Sequence, residues 1–327
     1  MTIVKDLQKS SSARKSTLKS AAILVISAPL AVLLLINAAE AAELVRGGLK
    51  ICAVSVIPAL FPFMVFSSIA SGVHPPLRRY GRAGGKLTVL PGVSVGGALP
   101  LALGLLCGTP SGTTCAVRSL ENGSISDTEC SCILAYSNSP SPAFVLGAVS
   151  AALGGRKYGA ILLCLTLLSS LICGAFSVRL CGMRSKSASH SQVIVGGSIG
   201  LSTIIVRAVT SAAIAMLNVC AFVVLFSVVI GMLCLVLDAT PFVRTALSCF
   251  FELSSGVLAS SALRDRAAFV CTAATLGWSG VCVHCQVASI CQGRGITLRP
   301  YFVSKLLQTL FNTVAALVLT SPRLGLI

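Results

Sequence analysis

The sequence predicts an all-α polytopic membrane protein of about eight or nine transmembrane segments, some broken or re-entrant, in two related halves. Three observations carry that reading. Of 327 residues, 55% are hydrophobic and only 10% are charged, whereas about 25% charge is usual for a soluble domain. Mean hydropathy is +0.93. Apolar runs long enough to cross about 30 Å of hydrocarbon recur along the chain, with basic clusters between them. A soluble enzyme, a disordered chain and a secreted disulfide scaffold do not fit such a composition, so no enzymatic role is expected.

Taken in order, residues 1–20 are a basic start (Lys5, Lys9, Arg14, Lys15, Lys19) expected in the cytoplasm, and 21–39 is the first transmembrane helix. That run is too long for the apolar core of a signal peptide. The next run, 49–71, contains Pro58 and Pro62 and leads to the basic cluster Arg78, Arg79, Arg82 and Lys86. Residues 87–118 read as a helical hairpin bent near 107–112, because the charges on either side of it belong on one face of the membrane. Runs 131–153 and 158–180 follow, then Arg179, Arg184 and Lys186 at the start of a cytoplasmic linker, 182–207. Four more runs, 208–237, 240–263, 267–291 and 299–320, complete the chain. The halves are 47–181 and 208–322. Cys115–Ser126 lines up with Gln286–Thr297 without gaps, and Val56–Phe66 resembles the run ending Val219–Phe226. Related halves with broken helices at mid-membrane are the mark of secondary transporters.

The net charge of +16 falls between apolar runs, as the positive-inside rule demands, and not along the stripe of a nucleic-acid binder. Nucleic acid is therefore excluded as a partner. The 15 cysteines lie mostly inside apolar runs, where they pack as small reduced residues. The implied setting is a bacterial inner membrane.

Candidate chemistry sits where polar or helix-breaking residues interrupt these runs. In LCGTPSGTTCAV, Gly108 and Gly112 permit close backbone approach, Pro110 stops a helix, and Thr109, Ser111 and Thr113 offer hydroxyls. A helix starting there points free N–H groups into the bilayer and attracts an anion. In YSNSPSPAFVLG, Asn138 is an amide deep in an apolar run and Pro140 and Pro142 break the backbone; such groups tend to face a cavity. Ser126 and Glu129 make a capping box before it. In ELSSG, Glu252 is an acidic residue inside a candidate span, assigned to coupling or gating. The substrate-binding candidates are thus Gly108, Thr109, Ser111, Gly112, Thr113 and Asn138, and the helix-breaking prolines are Pro58, Pro62, Pro110, Pro140 and Pro142.

Two matches carry no function, and one motif is absent. Gly92–Gly96 fits a G-x-S-x-G elbow but lacks the strand–turn–helix setting that motif needs. Cys282, His284, Cys285 and Cys291 resemble a zinc set, yet 284 points away from the helix face shared by 282 and 285. No phosphate-binding G-x-x-x-x-G-K-[ST] loop occurs. Neither cofactor nor metal is expected. The expected partners are the bilayer and a small anionic solute, with self-association allowed.

Several blocks occur in a recognisable order: GLKICAVSVIPALFPFMVFSSIA, Pro91–Gly92, the G-x-P-x-G of Gly108–Gly112, ENGSIS, the N-x-x-x-P-x-F-x-x-G of Asn138–Gly147, and ELSSG. Together they resemble the YlbJ-type sporulation integral membrane proteins, within the wider nucleoside-recognition (Gate) group related to concentrative nucleoside transporters. The resemblance covers about residues 20 to 320. It implies a multi-pass protein of the outer forespore membrane that moves dipicolinate, a small aromatic dicarboxylate. The distant relatives imply a nucleoside or nucleobase permease as the alternative, and a non-transporting scaffold in spore formation is the third reading.

Overall fold

A computed structural model describes residues 25, 27–72, 90–183 and 200–321. The basic start 1–20, the cluster Arg78–Lys86 and most of the linker 182–207 lie outside the described residues. Within them the chain is helical and has no strands.

Helix α1, Ser27–Ile36, meets α2, Ala38–Ile51, at Asn37, whose side chain donates to Leu33 O (3.0 Å). A π-helical turn, Cys52–Val56, joins α2 to α3, Ile57–Gly72. Two expectations are corrected here. Residues 40–48, between the first two expected runs, are helical, because AAEAAELV consists mostly of strong helix formers and Arg46 pairs with Glu43 one turn away (2.6 Å). Pro58 and Pro62 do not break the helix; the wide turn just before Pro58 takes up the hydrogen bonding a proline removes.

The first half continues with α4, Ala98–Cys107, and α5, Ser111–Glu121. These fold back on each other as a hairpin: a methyl on Gly112 would stand 2.8 Å from Gly104 Cα. Next come α6, Asp127–Ser137, and α7, which is built from Pro142–Phe144, a π turn Val145–Val149, and Ser150–Ala152. Straight α8, Arg156–Leu180, runs antiparallel to both. Gly159 meets Ser150 and Val145, and Gly174 meets Tyr136 and Ala135. Helices α6 and α7 therefore continue one another across a break at 138–141.

The second half opens with α9, Leu201–Val236. It lies antiparallel to α2 and α3. Gly48 packs on Val224 and Ser227, Cys52 Sγ approaches Cys220 O (3.8 Å), and Arg118 of α5 donates to Ser68 (3.2 Å) and Ser211 (2.5 Å). Then come α10, Pro241–Phe251; α11, Leu253–Ser261; α12, Asp265–Trp278; α13, Gly280–Cys291; and α14, Arg299–Leu319. Residues 240–263, expected to be a span, form a second hairpin: Cys249 Sγ reaches Gly256 O (3.6 Å) and Ser260 Oγ (3.2 Å). Residues 265–291 are a broken helix splinted by α14, which touches it at His284–Tyr301 (2.6 Å), Ser279–Lys305 (2.9 Å) and Gly277–Thr309.

Each half thus runs long helix, hairpin, broken helix, long helix. The hairpins enter from opposite ends. The α5–α6 loop lies beside the α13–α14 loop through Glu121–Arg294 (2.8 Å) and Thr297 N–Ser131 Oγ (3.0 Å), whereas α11 joins α12 at the other end of the broken span.

Among the described residues, five helices are long and apolar enough to cross a membrane: 38–70, 156–180, 202–236, 265–291 and 299–319. Their polarity is inverted. On α14, Leu306 and Leu310 face outward (60% and 62% exposed) while Lys305, Gln308 and Asn312 are buried. A soluble helix does the reverse. This makes the molecule a multi-pass membrane protein whose outer surface is solvated by acyl chains.

Candidate solute site at the helix breaks

All four interruptions meet at one small cavity of about 40 Å³. It is lined by Thr109 and Pro110 from the first hairpin, Pro140 and Ser141 from the first broken helix, Glu252 and Ser254 from the second hairpin, and Cys282 and Gln286 from the second broken helix. Val56 and Leu60 of the α2–α3 segment, with Val219 and Val223 of α9, supply an apolar wall. The hollow is mostly apolar with a few convergent polar groups, and it has room for about three waters.

Each hairpin tip is pinned to the break of its broken helix by a glycine in the left-handed region. Gly108 ends α4 with φ +68; a Cβ there would lie 2.5 Å from Ser141 N and 2.8 Å from Ser139 O, and Thr109 N donates to Ser139 O (3.0 Å). Gly280, with φ +83, does the same on the other side, 3.0 Å from Phe251 O and Leu253 N by the same construction. Only glycine allows both that backbone angle and that approach.

The sequence-derived candidates separate into cavity and scaffold. Thr109 and Pro110 line the cavity, and Ser111 begins α5 beside them, buried, with its hydroxyl lacking a partner. Gly112 is a packing residue: its Cα faces Ser137 O and Gly104 so closely that no side chain fits. Thr113 and Asn138 satisfy each other, Thr113 Oγ1 donating to Asn138 Oδ1 (2.6 Å) while Asn138 Nδ2 donates to Leu134 O (2.9 Å). Asn138 does not line the cavity, so the solute-orienting role expected of it is replaced by a structural one. Pro140 stands in the break and Pro142 is the first residue of α7, whose N-terminus Ser141 caps (Phe144 N to Oγ, 3.1 Å).

Glu252 is extended between α10 and α11, and its carboxylate accepts from Ser254 N (2.9 Å) and Ser255 N (2.5 Å). This helix N-terminus is thus capped by the chain itself. At α5 no side chain caps the N-terminus. Of the expected capping box, Ser126 accepts from Glu129 N (3.1 Å), but the Glu129 carboxylate is buried elsewhere, on Ser94 N (2.7 Å).

Sequence reasoning missed Ser141, Gln286 and Cys282 at the cavity, and Ser279 and Lys305 behind it. Ser279, with φ +71, ends α12 and accepts from Lys305 Nζ. The available signal was Lys305 itself, a charge six residues inside an apolar run that can be taken for a span end. Within the described residues no group of three or more His, Cys, Asp or Glu side chains is arranged to hold a metal ion.

Helices that bury polar groups, expose leucines and break around a shared hollow define a multi-pass membrane protein with a central site. Compared with known proteins, the chain is 27% identical over 329 aligned positions, covering 86% of this chain and 78% of the relative, to the sporulation integral membrane protein YlbJ of Bacillus subtilis. That likeness supports a YlbJ-type family assignment. No family model matches the chain, and no solved structure matches it.

Proposed function

We propose that this is a sporulation-associated transporter that passes a small organic anion through the central cavity by alternating access. The observation that carries the reading is the asymmetry of the helix N-termini around that cavity. Glu252 caps α11 from within, while at α5 Gly112 N bonds back to Gly108 O (2.9 Å), no side chain caps the N-terminus, and the buried Ser111 hydroxyl has no partner. Such an N-terminus is a ready anion site. Two hairpins entering from opposite ends, each pinned to a broken helix, are the parts from which two Gate-like halves exchange access. The relative's name, a sporulation integral membrane protein, gives the setting, and the family resemblance makes dipicolinate the first solute to try.

The test is uptake of labelled dipicolinate into proteoliposomes containing the full chain. A double Thr109→Ala, Ser111→Ala variant removes two hydroxyl donors to a charged solute, at about 1.5–3 kcal/mol each. Uptake is expected to fall by at least about tenfold at sub-saturating solute. Normal uptake by the double variant refutes the assignment, and competition by nucleosides instead of dicarboxylates transfers the site to the permease reading.

A further inference from the structure

Behind the cavity lies a charge that the site above does not use. Lys305, on α14, is 1% exposed. Among the described residues no carboxylate lies within ion-pair distance of it. Its ammonium donates to Ser279 Oγ (2.9 Å) and Gln308 Oε1 (3.3 Å). From there every bond points away from the lysine. Ser279 Oγ donates to Leu276 O (3.3 Å), in the last turn of α12. Gln308 Nε2 donates to Ser304 Oγ (2.8 Å), which donates to Ala135 O (2.7 Å), in the last turn of α6. Two chains of hydrogen-bond donors therefore run from Lys305 to the carboxyl ends of the two half-helices that stop at the breaks.

Those ends carry the negative pole of each helix dipole. In transporters built from broken helices, half-helix carboxyl ends and unwound carbonyls are where a coupling cation binds. We infer that the Lys305 ammonium is a tethered cation standing where a free coupling cation would otherwise bind, between the carboxyl ends of α6 and α12. The inference rests on the broken helices being the moving centre of a transporter, but it concerns ion occupancy and not the solute. It requires that the protein take up no inorganic cation at this point. A small residue in place of Lys305 opens a hole of the right polarity for one.

The experiment is thermal unfolding of the full chain in detergent at constant ionic strength, in sodium, ammonium or N-methylglucamine chloride. The wild type should unfold at one temperature in all three salts. Lys305→Ala should unfold several degrees lower in N-methylglucamine and recover, saturably, with Na⁺ or ammonium. Lys305→Met fills the space without charge, leaves no room for an ion and should respond to none of the three. Recovery of Lys305→Ala from membranes only when a small cation is present also supports the proposal. A Na⁺-specific rise in the wild type, a small-cation response in Lys305→Met, or a Lys305→Ala protein that no salt restores while Lys305→Met is stable, would each overturn it. No arm uses solute uptake, so failure here and failure of the anion reading are read separately.

Discussion

Replacing Gly112 with alanine adds one methyl group where backbone already closes on both sides. At an open helical position that change stabilises by about 1 kcal/mol, since glycine is the poorer helix former. In α5 the new Cβ would lie 2.7 Å from Ser137 O and 2.8 Å from Gly104 Cα. Both obstacles are backbone, one in α6 and one in the opposing arm α4, so no rotamer change relieves them. Overpacking of this kind costs about 1–3 kcal/mol, and rigid obstacles put it at the upper end. The net expectation is destabilisation by about 2 kcal/mol, read as a drop of several degrees in detergent thermal unfolding. Gly147→Ala is the control. Gly147 is helical and has nothing within 4 Å of a built Cβ, so its substitution should be neutral or mildly stabilising. A Gly112→Ala protein as stable as Gly147→Ala would show that the hairpin and the broken helix do not touch as described.

Two further outcomes follow from the same geometry. Glu252→Ala removes the cap of α11 and should cost about 2 kcal/mol, while Glu252→Gln retains one acceptor and should cost about half as much; equal losses on chemical unfolding would show that the carboxylate does not hold the hairpin tip. Thr113→Val leaves Asn138 Oδ1 buried without its donor, an expected loss of about 1–3 kcal/mol. In a double-mutant cycle with Asn138→Leu the two losses should couple by about 0.5–3 kcal/mol, and additive losses would dissolve the pair.

Composition alone made the helical, multi-pass character legible, and Gly108 to Pro110 stand between the end of α4 and the start of α5. What was not legible depended on partners distant in sequence. Pro58 and Pro62 read as breaks because a proline deletes a donor, yet a π turn accommodates them and the helix runs on against α9. The second hairpin was hidden because its tip is a glutamate: between apolar flanks, ELSSG looks like a span with one odd charge until Ser254 and Ser255 are seen donating to it. Asn138 was read correctly as a costly buried amide, but its partner lies 25 residues away, on the hairpin. Local sequence shows that a polar group must be satisfied, and only the fold shows by what.

The two halves solve one electrostatic problem in different ways. Breaking helices inside a bilayer exposes paired poles, amino ends that need an anion and carboxyl ends that need a cation. In the second half the chain supplies both, Glu252 at the start of α11 and Lys305 behind the end of α12. In the first half Gly108, Thr109 and Ser111 carry no charge, and α6 reaches Lys305 only through Ser304 and Gln308. The cation is thus shared between the halves while the anion is not. The amino end of α5, like that of α13, has no side-chain cap and no acidic residue in its first turn. Under the proposed transport function, an anionic solute completes this site.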